Sequence, residues 1–176
     1  MCIGTASSRT KSSRRRRSRS SGSEEAAAVG RVQNSIHIAR PVAEVFAYVA
    51  DPANSPKWNS TVLASSASKT PVDVGTTIRS RVRFLGRTSD LDATVREFQP
   101  NARFVTESLK PYRYLLIWTF SRENGGTRVV RAGDIDFRGP LKFLSPILIR
   151  PIARKTDQAS LERMKALLEA PTRATR

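Results

Sequence analysis

The sequence is poor in the residues on which nucleophilic and metal chemistry usually rests. It has one cysteine, Cys2, and one histidine, His37, in 176 residues. That excludes a disulfide framework, a Cys/His nucleophilic pair and the usual zinc ligand sets, each of which needs more of these side chains. With no disulfides to form, a cytoplasmic location is expected. No glycine-rich phosphate loop of either standard spacing occurs. The apolar run of a secretory signal is missing too, because "EEAAAVG", after the basic N-terminal stretch, is short and acidic. A twin-arginine signal fails for the same reason, and Cys2 stands where myristoylation needs glycine. Asp134 and Asp136 share a strand face but alternate with Ile135 and Phe137, so they face water and make no catalytic dyad. His37 falls on the polar side of its strand, a surface position. No catalytic residue, metal ligand or cofactor is expected from these patterns.

Acidic residues are also scarce, 15 against 31 lysines and arginines, and the net charge of +16 favours anionic partners. Residues 1–30 hold seven basic and two acidic groups, a share of +5, which leaves +11 for residues 31–176. "SSRTKSSRRRRSRSSGS" has too little apolar surface to offset the entropy of ordering, so residues 1–30 are expected to be a disordered basic tail. Such a tail suits weak contact with an anionic membrane or nucleic acid, which phosphorylation would weaken. A merely solvated tail, or a start codon assigned upstream of the true one, are the other readings. Residues 31–170 are expected to form one domain, with 171–176 as a C-terminal tail. Because no periodic apolar stripe precedes Val32, a chain starting at Arg31 is expected to melt within about 2 °C of the full chain. A larger drop in calorimetry would mean that the tail docks on the domain.

Ordered patterning begins at "RVQNSIHI", where Val32, Ile36 and Ile38 alternate with Gln33, Ser35 and His37, the period of a strand with one wet face. Pro41 suits a helix start, and Val42, Val45, Phe46 and Val49 then form one helical stripe. Pro52 stops that helix and Asp51 caps a short new one; Ser55 and Pro56 repeat the device before Trp58. Six strands follow. In the first hairpin a turn at Gly86 and Arg87 predicts Val82 opposite Leu91, Arg81 opposite Asp92 and Arg83 opposite Asp90. The arginine row is thereby partly neutralised within its own hairpin. A turn at residues 123–126 predicts Phe120 opposite Val129 and Trp118 opposite Arg131. In the C-terminal segment Leu161, Met164 and Leu168 share a helical stripe, while Pro146 and Pro151 are expected to kink or interrupt its first half.

This order, together with "I-x-I-x-x-P-x-x-x-V-F-x-x-V-x-D-P" from Ile36 to Pro52, the pair Trp58 and Asn59, "GT" at Gly75, "GGT" at Gly125 and "LERMKALLE" at Leu161, resembles the START-like (SRPBCC) superfamily. That superfamily includes polyketide cyclase/dehydrase-like and coenzyme Q-binding-like helix-grip proteins. The resemblance covers residues 31–170. It implies an α+β helix-grip fold: a curved, antiparallel seven-stranded sheet around a long C-terminal helix, with two short helices after the first strand plugging one end of a cavity.

The resemblance further implies binding or transport of a small hydrophobic ligand such as a lipid, polyketide or quinone-like molecule. By strand parity the sheet lining is expected to comprise Val82, Phe84, Leu91, Ala93, Phe104, Thr106, Tyr114, Leu116, Trp118 and Arg131. The helix is expected to add Leu144, Leu148 and Ile152. Arg131 has two readings. Stacked on Trp118, it either meets a ligand carboxylate, phosphate or carbonyl, or holds its head in solvent at the cavity mouth. Two other functions stay open. A polyketide cyclase or aromatase would need a pocket acid or base, for which Tyr112 and Tyr114 are the candidates. A ribosome- or RNA-associated protein would use the basic surface.

Overall fold

In the computed structural model the described residues are 32–84, 86–110, 113–136 and 146–171. The expected basic tail and the last five residues lie outside them. Strand β1 (Val32–Ile38) leads into helix α1 (Val42–Ala50), a 3₁₀ turn (Pro52–Asn54) and helix α2 (Ser55–Trp58). Strands β2 (Val62–Ala67), β3 (Thr77–Phe84), β4 (Arg87–Gln99), β5 (Arg103–Ser108), β6 (Arg113–Glu123) and β7 (Gly126–Asp136) follow, and helix α3 (Pro146–Glu169) closes the chain. The strands make one antiparallel sheet of order β1-β7-β6-β5-β4-β3-β2. The chain is thus a seven-stranded curved sheet gripping a C-terminal helix.

The first helix break works through its cap. Asp51 accepts from the Ala53 N–H at 3.0 Å and opens the 3₁₀ turn at Pro52. Ser55 does not cap the next helix as expected; its backbone is already helical, and Asn54 precedes the first turn with no side-chain cap bond. Asn54 instead donates to the Tyr48 carbonyl and to Asp51, tying the two short helices at a bend. The stripe of α1 is buried at Val42, Val45, Phe46 and Val49, and Trp58 is buried at the end of α2.

Helix α3 runs unbroken through Pro151, against the expected interruption. Pro146 sits at its first position, where a missing N–H costs nothing, so Pro151 is the one residue that removes an internal bond. The stripe of Leu161, Met164 and Leu168 is buried. The helix C-terminus is held by Arg40, whose Nε donates to the Leu168 carbonyl at 2.8 Å and Nη2 to the Ala170 carbonyl at 3.3 Å. Glu169 accepts from the Ala39 N–H at 2.6 Å. Since Asn34 of β1 meets Arg154 and Arg40 after β1 meets Leu168, the helix lies along β1 with its first turns beyond the strand's start.

The β3–β4 register differs from expectation by two residues: Arg81 faces Asp90, Arg79 faces Asp92 and Arg83 faces Thr88. Phe84 pairs with Arg87, so Gly86, at φ +78°, is the second loop residue. A loop shifted to Gly86 and Arg87 would place arginine there, in a backbone region that suits glycine. Because side chains alternate, a two-residue slip keeps every face, and Leu91 and Val95 are buried as expected. The ion pairs Arg79–Asp92 (3.0 Å) and Arg81–Asp90 (2.9 Å) form on the exposed face, and Arg83 is left without an acid opposite. The Arg81 hydrogen bond and charge hold the Asp90 carboxyl below its usual range. Its contribution is therefore present above that usual range and lost as pH falls.

Candidate ligand site between sheet and helix

The β6–β7 register is the expected one, with Phe120 opposite Val129 and Trp118 opposite Arg131. Its turn is Asn124-Gly125, both at positive φ (46° and 75°), the geometry that a two-residue hairpin loop needs. The inward parity then runs through Thr127, Val129, Arg131 and Gly133 on β7 and through Ile38, Ile36 and Asn34 on β1. On β4 a bulge between Val95 and Glu97 shifts the parity, so that Val95 and Phe98 both reach the core.

Burial along this inward face is graded. At the end plugged by the short helices, Phe46 packs edge-on against Phe98 and Phe120, and Trp58 edge-on against Trp118 at 5.7 Å. Phe104, Trp118, Phe120 and Val129 are buried there. Toward the other end of the same strands Tyr114, Leu116 and Gly133 are only half-buried, although they share the inward parity of β6 and β7. A Cβ on Gly133 would meet nothing closer than Leu116 Cδ1 at 3.9 Å. Burial on the inward face is thus lowest around Tyr114, Leu116 and Gly133 and highest at the aromatic cluster.

Arg131 stands at the boundary between these two halves. Its guanidinium lies over the Trp118 ring at 5.2 Å from the centroid, and Nη1 pairs with Asp157 Oδ1 of α3. The two side chains are 14% and 11% exposed, so the head is not in solvent. Asn34 Nδ2 donates to Asp157 Oδ2 at 2.8 Å and to the Arg154 carbonyl at 3.2 Å. Burial pushes the Arg131 guanidinium down from its ordinary value, and Tyr114, through charge and a hydrogen bond, works the other way. The guanidinium nevertheless stays charged. Its buried Nε has no hydrogen-bond partner among the described residues, and the same is true of Trp58 Nε1.

The expected sheet lining is otherwise distributed as follows. Leu91, Ala93, Phe104, Thr106 and Trp118 are buried; Val82, Tyr114 and Leu116 are half-buried on the same face. Tyr112, Leu144 and the side chains of Phe84 and Leu148 lie outside what is described. Ile152 is a correction: it is 50% exposed and points away from the sheet. The buried stripe runs through Asp157, Leu161, Met164 and Leu168, and Ile152 is about 140° from it at 3.6 residues per turn. His37 is half-buried, with Nε2 at 2.9 Å from the Glu123 carbonyl, a structural contact. Asn34 and Asp157 are the two site residues that strand and helix patterning missed. Each stood in plain view, a polar residue at an apolar position of its own repeat.

A curved seven-stranded antiparallel sheet gripping a C-terminal helix, with two short helices after the first strand, defines a START-like helix-grip protein. Residues 29–169 match the family described as "Polyketide cyclase / dehydrase and lipid transport", and the chain belongs to it. Among solved structures it is similar to a Thermus thermophilus protein at 18% identity, TM-score 0.70, over 81% of this chain and 99% of that one. A START superfamily protein from Mycobacterium smegmatis matches at 14% identity, TM-score 0.68, over 80% and 97% of the two chains. The ZhuI aromatase/cyclase from a Streptomyces species matches at 16% identity, TM-score 0.66, over 82% and 96%. No curated protein matches the chain in sequence. No helix among the described residues is long and apolar enough to cross a membrane.

Proposed function

We propose that this protein binds or carries a small hydrophobic ligand, lipid-, polyketide- or quinone-like, in the space between sheet and α3. The observation that carries the reading is the burial gradient. The inward face is sealed by aromatic rings at one end and left half-open over Leu116, Tyr114 and Gly133 at the other. Apolar walls with a few convergent polar groups are what small-molecule sites require. Gly133→Leu fills that space without a backbone penalty, and it is expected to weaken binding of apolar probes by about tenfold or more, the scale of a lost pocket contact. The melting temperature is expected to hold. Native mass spectrometry of both chains checks this; equal occupancy would count against an interior site.

A cyclase or aromatase activity is the second reading, favoured by the contact between Tyr114 and Arg131, a phenol beside a cation at the edge of that space. Loss of turnover in Tyr114→Phe with unchanged ligand affinity would separate catalyst from carrier. The basic surface has a place in the carrier reading too. Arg83, Arg87, Lys110, Arg154 and Lys155 are exposed at the half-open end, with no ion pair among the described residues. That end suits an anionic membrane, with about 1 kcal/mol of attraction per cation at such a surface. Flotation with phosphatidylglycerol-containing vesicles is expected to carry the full chain, and charge reversal at Arg87 and Lys110 to release part of it. Unchanged flotation would leave the basic tail as the sole contact, and preference for RNA over vesicles would favour the RNA reading.

A further inference from the structure

We propose that the outer face of the sheet, centred on Ile117, is the surface through which two copies of this chain associate. The proposal is independent of the carrier reading. "YRYLLIWTF" is apolar on both of its alternating faces, a pattern that belongs to strands covered on both sides. In β6 Tyr114, Leu116, Trp118 and Phe120 face inward, which leaves Leu115 and Ile117 on the outer side. The register carries the patch across the sheet: Ala132 of β7, Ile117 of β6 and Val105 of β5 form one row, with Leu115 and Val130 beside it. Ala132 and Val105 are buried, and Leu115, Ile117 and Val130 are half-buried. The described helices reach the sheet from its other side, through Phe46, Trp58 and Asp157.

Charge selects a second copy as the occupant. Around the apolar row Glu97 pairs with Arg103, Glu107 with Arg96 and Arg113, and Glu123 with Arg128, at 2.8–3.7 Å. Asp134, opposite Leu115, adds a fourth acid to match the four arginines. Residues 31–176 carry +11 in all, and the described side chains of this face contribute none of it. Two copies therefore repel each other elsewhere and can meet here. No lysine stands on β4 to β7, in keeping with the arginine-rich, lysine-poor composition of protein interfaces. A two-fold axis near Ile117 would set each ion pair against its own copy, so that opposite charges alternate across the contact. At about 4.8 Å between strands and 3.3 Å per residue, the five strands from β4 to β1 and the length of β6 span roughly 19 by 33 Å, about 600 Å². Curvature lets two such faces meet over only part of that, less than the roughly 800 Å² per partner of a stable complex, so a weak, concentration-dependent dimer is expected.

Analytical ultracentrifugation of the full, nuclease-treated chain, from about 5 to about 500 µM, tests this. The mass is expected to rise from monomer to dimer across that range. Added salt is expected to strengthen the dimer, because it screens the repulsion between two basic chains. Bridging by residual nucleic acid would instead dissolve in salt. Ile117→Lys puts an unpaired charge at the centre of the contact and is expected to weaken dimerisation by about tenfold or more. As a second readout, ¹H–¹⁵N spectra of the wild-type chain at the two ends of the range are expected to differ at Val105, Leu115, Ile117, Val130 and Ala132 and to agree at Arg79 and Arg81. A monomer throughout, a dimer that salt dissolves, or a dimer unchanged in folded Ile117→Lys overturns the proposal. Should Ile117→Lys fail to fold, the spectra decide, and differences confined to residues off this face overturn it.

Discussion

Asp157→Ala is expected to destabilise the domain by about 3–5 kcal/mol, the usual cost of removing one partner from a buried ion pair. Arg131 would keep its charge with neither counter-ion nor water, and Asn34 would lose the closer of its two acceptors. The first turns of α3 would suffer most. Beyond residue 157 the helix is held by Leu161, Met164 and Leu168, whereas near Asn34 the polar cluster is the main described tie to the sheet. Replacing both partners, Arg131→Met with Asp157→Leu, is expected to recover most of the loss, because well-packed apolar groups need no counter-charge. Urea unfolding of the four chains checks this; losses that simply add in the double variant would show that the two residues do not act as a pair.

Trp118→Ala is expected to cost about 3–5 kcal/mol, the range for truncating a buried aromatic. The indole is the surface on which Trp58 packs edge-on, Phe120 stacks at 6.3 Å and Arg131 rests. Its loss opens a cavity next to a cation, so water entering beside Arg131 is the expected accompaniment. Trp118→Phe keeps a ring for Trp58 and Phe120 and is expected to lose less than half as much. Thermal and urea melts compare the two; equal losses would mean that ring contacts matter less there than the indole's full volume.

The architecture was legible because its signals are local and independent. Alternation sets strand faces, proline and aspartate set the breaks in the short helices, and Asn124-Gly125 admits essentially one loop, which carried the Trp118–Arg131 pairing with it. Gly86 is different: a glycine fits either position of a two-residue loop, so the hairpin register was open by two residues while its faces were not. Ile152 departs from the expected lining because positions four apart, such as 144, 148 and 152, drift around a helix. Four such steps, from residue 152 to 168, turn a helix by about 160° away from its starting face. The ion pair was hidden for another reason. Asp157 and Asn34 sit at apolar positions of a helix and a strand 123 residues apart, and only tertiary structure brings them onto Arg131.

The most direct test of the interior site is two-dimensional ¹H–¹⁵N NMR of the full chain titrated with 1-acetylnaphthalene. Ring currents from a probe seated over Leu116 and Gly133 are expected to shift the Gly133 and Ala93 amides, the Trp118 indole N–H and the Arg131 Nε–H. The exposed face of the hairpin, where Arg79, Arg81 and Lys110 line a shallow groove with Asp90 and Asp92, is expected to stay still. Shifts confined to that outer groove, with the Trp118 and Gly133 signals unmoved at saturation, would contradict a ligand site between sheet and helix.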